Sequence, residues 1–160
     1  MSEAPEGGGL ALSFIVQTSD IPIFVNKRTS MPHYLFVYGT LMQKCRPNAW
    51  AAFLHTNAQY AGEASVEGLL YKVAYYPGLV RGEGVVYGEL FELRDPEKVF
   101  RLLDEYEDYL PDDPDRSLYL RVLAWVTLTE TGEKKESWLY YYNQPVTDFM
   151  PYENGRFTEE

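Results

Sequence analysis

The strongest constraint on this chain is the run Tyr34-Leu35-Phe36-Val37-Tyr38, which ends abruptly at Gly39. Five successive apolar or aromatic residues leave no polar face to turn towards water. Such a run reads as a buried strand, here stopped by a glycine loop. A domain must therefore be built around it.

The neighbouring patterns say what kind. Arg46–His55 carries Trp50, Phe53 and Leu54 at i, i+3 and i+4, a short helix starting near Pro47 and Asn48. Ala58–Val66 and Gly68–Val73 read as two short strands meeting near Glu67-Gly68. Tyr75-Tyr76-Pro77-Gly78 is a turn, and Gly84–Leu93 alternates as a strand. Asp95-Pro96 predicts a helix, with Asp95 as N-cap and Pro96 in the first turn. Its apolar stripe is Val99, Leu102, Leu103 and Tyr106. A loop with two prolines follows from Tyr109 to Asp115. Ser117–Leu128 and Ser137–Tyr142 then form a hairpin turning at Thr131-Gly132. In the first of these strands, Tyr119 and Trp125 occupy one face and Leu118, Leu120 and Val126 the other. One face is expected to pack on the helices and the other to line an interior pocket. Strands outnumber helices and most are joined by short turns. The expected fold is α+β: a largely antiparallel, strongly curved sheet or barrel with a few short helices.

Met1–Ser30 departs from this density, opening with Gly7-Gly8-Gly9 and showing only Leu12–Val16 and Ile21–Val25 as strand-like. It is either a dispensable, disordered extension before a domain spanning Met31–Glu160, or a short ordered arm lying on that domain. The weak patterning favours the first. At 160 residues, with 14 Tyr, 8 Phe and 3 Trp, the chain suits one globular domain. A net charge of -10 repels phosphate backbones and anionic lipid surfaces, arguing against nucleic-acid or membrane partners. No apolar stretch approaches a membrane span, the start carries no basic signal-type region, and a single cysteine, Cys45, permits no intrachain disulfide. A cytoplasmic protein is expected.

Few chemistries fit. His33 and His55 are the only histidines, and with Cys45 they form no recognisable zinc or nucleophile spacing. Gly82-Glu83-Gly84 lacks the remaining dinucleotide glycine and precedes a strand. Two features remain. One is Tyr38-Gly39-Thr40-Leu41, a strand end whose turn can aim successive N–H groups at one carboxylate or oxyanion; a plain chain reversal is the commoner meaning of such a loop. The other is Leu103-Asp104-Glu105-Tyr106-Glu107-Asp108, four carboxylates at the helix end that least favours them. With Val99 at zero, Glu107 falls at roughly 80°, Asp104 at about 140°, Asp108 at about 180° and Glu105 at about 240°. Glu107 lies nearest the apolar stripe, while the other three read as a solvated acidic face. A carboxylate at a core edge has its pKa raised and can exchange protons near neutral pH.

Taken in order, Phe36–Leu41, Gly68–Tyr71, Tyr76–Val80, Val86–Phe91, Leu103–Glu107 and Tyr119-Leu120-Arg121 resemble the gamma-glutamylcyclotransferase-like family, on its gamma-glutamylamine cyclotransferase branch. The resemblance covers Pro32–Tyr142, and Asn154–Phe157 is similar to the family's closing Gly-aromatic segment. It implies a small mixed barrel with a central cavity and a cyclotransferase reaction. The α-amine of a γ-glutamyl group attacks its own γ-carbonyl, releasing 5-oxoproline and an amine or amino acid, with no cofactor or metal. By the same resemblance Glu107 is the acid/base carboxylate. Tyr38, Gly39, Thr40 and Leu41 bind the γ-glutamyl head group, and Tyr119 faces the cavity. The partner implied is thus a small γ-glutamyl substrate. Thr40 stands where some members have serine, and Met42–Cys45 carries no branch signature. Two rivals are a binding domain that kept the cavity without turnover, and a glycosidase pairing Glu107 with Glu105 or Glu89. The latter fails on spacing for Glu105, since residues two apart on a helix diverge.

Overall fold

The computed structural model describes residues 32–159. The expectation that Met1–Ser30 is dispensable concerns residues outside that range.

Strand β1, Tyr34–Val37, owes its unbroken apolar run to its position. It pairs antiparallel with β3 (Pro77–Leu93), Leu35 opposite Phe91, and in parallel with β5 (Lys134–Tyr142) at Leu35 and Trp138. With a strand on each side and both faces covered, Leu35, Phe36 and Val37 are all buried.

β2 (Ala58–Lys72) and β3 form one long antiparallel hairpin. The two short strands expected at Ala58–Val66 and Gly68–Val73 are therefore one. Gly68 does not end the strand; it creates a bulge between Glu67 and Leu69 after which the ladder resumes. Its φ is 157°, and an added Cβ would lie 2.8 Å from the Val80 carbonyl oxygen, so only glycine fits this close approach. β4 (Tyr119–Leu128) pairs antiparallel with β5 along its length and meets β2 at Ala64 and Ser65. The order β3-β1-β5-β4-β2, joined again by the β2–β3 pairing, closes a five-stranded barrel. β6, Met150–Pro151, extends the end of β2. Closure removes the free edges that an open sheet of this size would present.

Helix α1, Ala49–Thr56, begins where Asn48 accepts from the Ala51 N–H. Helix α2, Pro96–Tyr106, begins at Asp95 with Pro96 in its first turn, as its sequence predicts. Its buried face differs from the expected stripe. Val99, Phe100 and Leu103 are buried, whereas Tyr106 is 40% exposed. The apolar face is thus centred roughly 50° from Val99, turned towards Glu107. The reason lies in Phe100, which packs edge-on against Trp138 of β5 and draws the helix round.

β4 departs from expectation too. Trp125 is 63% exposed, while Tyr119 on the same face is buried. That face meets both α2, through Arg121, and the cavity, through Tyr119. Helix side and pocket side were expected on opposite faces. They coincide because the C-terminal end of α2 forms part of the cavity wall. Among the described residues no helix is long and apolar enough to cross a membrane.

Candidate active site

The turn after β1 is fixed from both ends. Tyr38 donates its hydroxyl to the Tyr140 carbonyl at 2.7 Å and accepts from the Leu79 N–H at 3.3 Å, tying the strand end to two neighbours. Gly39 follows, and an added Cβ there would lie 2.9 Å from the Pro77 ring. Met42 N–H returns to the Gly39 carbonyl, closing the turn. Beyond it, Gln43 and Lys44 donate their N–H groups to Glu89, at 2.6 and 3.4 Å. Glu89 is 2% exposed, so a buried carboxylate braces the far half of the loop. The near half is different. Among the described residues, the N–H groups of Gly39, Thr40 and Leu41 have no protein acceptor.

His55 supports the same loop, its Nε2 2.9 Å from the Leu41 carbonyl and its ring stacked on Phe91. Cys45 lies with Sγ 3.5 Å from the Gly39 carbonyl. Burial, with Glu159 and Glu89 adding to it, pushes its thiol up to about 11, so it is a poor nucleophile at neutral pH. Among the described residues no three His, Cys, Asp or Glu side chains gather closely enough to hold a metal ion.

Glu107 caps the C-terminus of α2, its N–H returning to the Leu103 carbonyl. Asp108 follows in the left-handed region, with φ 55°, and turns the chain away. Burial is the largest influence on the Glu107 carboxyl. Asp108 and Asp104 add repulsion, and together they push it up to about 8. No protein donor reaches it among the described residues.

Tyr38, Gly39, Thr40, Leu41, Glu107 and Tyr119 all line one cavity of about 360 Å³. Its floor is buried and aromatic, with Phe36, Tyr38, Tyr119 and Tyr140. Its rim includes Tyr75, 89% exposed, along with Tyr106 and Asp108. Tyr106 stacks on Trp50 at 4.5 Å. Tyr119 donates to the Pro77 carbonyl at 2.8 Å, and burial chiefly raises its pKa far above the usual phenol range.

Asp104 is not the solvated side chain that its helical angle suggests. It receives Arg121 Nε at 2.8 Å and Nη2 at 3.1 Å, and the Tyr140 hydroxyl at 2.7 Å. Arg121 in turn lies over the rings of Phe100 and Trp138, at 4.1 and 4.7 Å. Once α2 turns towards Phe100, Asp104 comes inward with Glu107. Sequence reasoning missed Asp104, Tyr140 and the rim aromatics. The one available signal was Arg121, which shares a strand face with Tyr119 and needed a counter-charge. Glu105 is exposed as expected. Glu89 is absent from the cavity lining, which removes it as a carboxylate partner for Glu107.

Residues 35–159 match the family model described as gamma-glutamyl cyclotransferase, AIG2-like. The gamma-glutamylcyclotransferase family protein YtfP of Escherichia coli K12 is 40% identical over 60 residues, 37% of this chain and 50% of that protein. The matched stretch thus spans only half the length of that relative. The corresponding protein of Citrobacter rodentium is 30% identical over 126 residues, covering 78% of this chain and 95% of its own. The crystal structure of an AIG2-like protein from Mus musculus superposes with a TM-score of 0.56 at 25% identity, covering 71% of this chain and 80% of that one. The likeness runs through the elements that build the barrel and its cavity, from β1 to the C-terminal segment carrying the buried Phe157. This chain belongs to the gamma-glutamyl cyclotransferase, AIG2-like family.

Proposed function

We propose that the protein is a cyclotransferase that cleaves γ-glutamyl amines, releasing 5-oxoproline and the free amine. The observation that carries this reading is Glu107, a carboxyl that among the described residues has no protein donor, lining the same cavity as Gly39, Thr40 and Leu41, whose N–H groups have no acceptor among the described residues.

The chemistry uses both features. The substrate's α-ammonium has no lone pair until a base removes a proton. Burial and its acidic neighbours push the Glu107 carboxyl up to about 8, and an arriving cation favours its ionised form. It takes the proton, and the amine nitrogen attacks the γ-carbonyl carbon, closing a five-membered ring. The carbonyl oxygen becomes an oxyanion. Protonated Glu107 returns the proton to the departing nitrogen, the old C–N bond breaks, and the carbonyl reforms. The ring nitrogen then gives its surplus proton to the same carboxylate, which passes it to the released amine, so that the lactam leaves neutral at nitrogen and the amine leaves as its ammonium ion. The loop N–H groups supply donors for the α-carboxylate and the oxyanion. The cavity holds amine and carbonyl in one folded conformer, which intramolecular attack requires. Nucleophile and electrophile both belong to the substrate and nothing is oxidised or reduced, so no cofactor is called for.

The rim favours amines over amino acids as leaving groups. Among the described lining residues Glu107 and Asp108 are the charged side chains, and no Lys, Arg or His joins them. A leaving group bearing a carboxylate would meet like charge, whereas an apolar or cationic one meets Tyr75, Tyr76 and Tyr106. The test incubates the protein with γ-glutamyl amines, γ-glutamyl amino acids and glutathione and measures 5-oxoproline. Release should be fastest from the amines. Calorimetric binding with no 5-oxoproline from any compound would favour a ligand-binding domain instead.

A further inference from the structure

Tyr38, Tyr119 and Tyr140 all have buried rings on the cavity, but their hydroxyl protons go to different places. Tyr38 gives its proton to the Tyr140 backbone carbonyl, and its oxygen accepts the Leu79 N–H. Tyr119 gives its proton to the Pro77 backbone carbonyl. These two act as latches between segments of backbone. Tyr140 instead donates to a carboxylate, Asp104 Oδ1, at 2.7 Å. Arg121 grips the same carboxylate with two nitrogens and itself lies over the rings of Phe100 and Trp138. The Arg121 and Asp104 side chains are only 18% and 14% exposed, so water competes little for this arrangement.

A phenol whose only proton is committed to a carboxylate has nothing left to donate. Towards the cavity it offers lone pairs alone, and the charge-assisted bond behind it strengthens them as acceptors. Burial and the neighbouring Asp104 both raise the Tyr140 pKa, so the phenol stays neutral and does not act as a base. Such an acceptor beside Glu107 repels a substrate carboxylate or carbonyl and suits an N–H donor.

We propose that Tyr140 Oη accepts a hydrogen bond from the substrate's α-ammonium group, with Asp104 and Arg121 as positioning residues that hold its hydroxyl proton on the far side. This rests on the cyclotransferase reading and specifies how the head group is oriented. The ammonium points to the wall formed by Glu107 and Tyr140, and the carboxylate to the Gly39 loop. Once Glu107 has taken one proton, Tyr140 still holds a second N–H, which turns the new lone pair towards the γ-carbonyl.

The experiment compares wild type with Tyr140→Phe and Asp104→Asn, using two ligands. One is a γ-glutamyl alkylamide; the other is its twin lacking the α-amine, the matching glutaric monoamide. Dissociation constants come from calorimetry, with KM and kcat for the first ligand where it turns over. Tyr140→Phe should weaken the amine-bearing ligand about tenfold, the scale of one lost hydrogen bond to a charged group, and leave the amine-free twin unchanged. Asp104→Asn should act in the same sense and less strongly, because an uncharged acceptor still takes the phenol proton. Thermal melting verifies that each variant is folded; Tyr140→Phe leaves the Asp104–Arg121 pair in place. Equal weakening of both ligands, or of neither, would overturn the assignment. Absence of 5-oxoproline from wild type would instead defeat the cyclotransferase reading, while the ligand pair would still decide whether Tyr140 reads the amine.

Discussion

Glu89 and Glu107 are both enclosed carboxylates, and both border the loop that follows β1. Glu89 lies under its far half, 2% exposed, and accepts the N–H groups of Gln43 and Lys44. Glu107 shares a cavity with its near half and has two carboxylates for neighbours. One burial is compensated by donors, and the other meets no donor among the described residues. A carboxylate supplied with N–H groups is an immobile brace. One enclosed without them is pushed towards the neutral form and becomes a group that can carry a proton at working pH. The same loop thus has a structural half and a reactive half, distinguished by whether its N–H groups find an acceptor among the described residues.

The largest effect is expected from Glu107→Gln. The amide keeps size and hydrogen-bonding capacity but accepts no proton, so 5-oxoproline release should fall about 10²–10⁴-fold with the fold retained. Turnover near wild type would end the distinction between the two carboxylates.

The same variant carries a stability signature of its own. Glu107 ionises near 4.5 in the unfolded chain and near 8 in the folded protein. Its contribution to stability is fully present below about 4.5 and is lost as pH rises towards 8. Glu107→Gln has no such loss. Its melting temperature relative to wild type should therefore climb between those two values and level off above them, a difference of the order of a few kcal/mol. A flat difference across that range would mean that Glu107 is not held in its neutral form.

Glu89→Gln should do the reverse. An amide oxygen can serve one of the two loop N–H groups while its own NH₂ confronts the other. A cost of about 1–3 kcal/mol in thermal or denaturant unfolding is expected, with KM raised more than kcat is lowered as the loop loosens. A loss of kcat matching that of Glu107→Gln, with stability unchanged, would give Glu89 a chemical role instead.

The smallest effect belongs to Glu105→Gln. This side chain is exposed on the same helix turn. Stability should change by less than about 0.5 kcal/mol, and activity should stay near wild type. A large loss here would mean that net acidity, rather than the position of Glu107, sustains the reaction.

What the sequence alone determined is whatever a short window of chain decides. The apolar run at Tyr34–Tyr38 marked a strand covered on both faces, and Gly39 marked its end. Asp95-Pro96 set the start of α2, because capping needs only residues a turn apart. Helical periodicity brought Glu107 to the core edge ahead of its three acidic neighbours. Tertiary structure decided everything that depends on which element packs against which. Gly68 became a bulge rather than a break because β3 runs alongside to receive the resumed ladder. Asp104 left the solvated face because α2 turned towards Trp138, where Arg121, 17 residues away, and Tyr140, 36 away, could reach it. Glu89 became a brace through an N–H group 46 residues distant. Periodicity reports which side of an element is apolar. It does not name the donor that closure of the barrel will bring to a carboxylate, and that donor, or its absence, separates the brace from the acid.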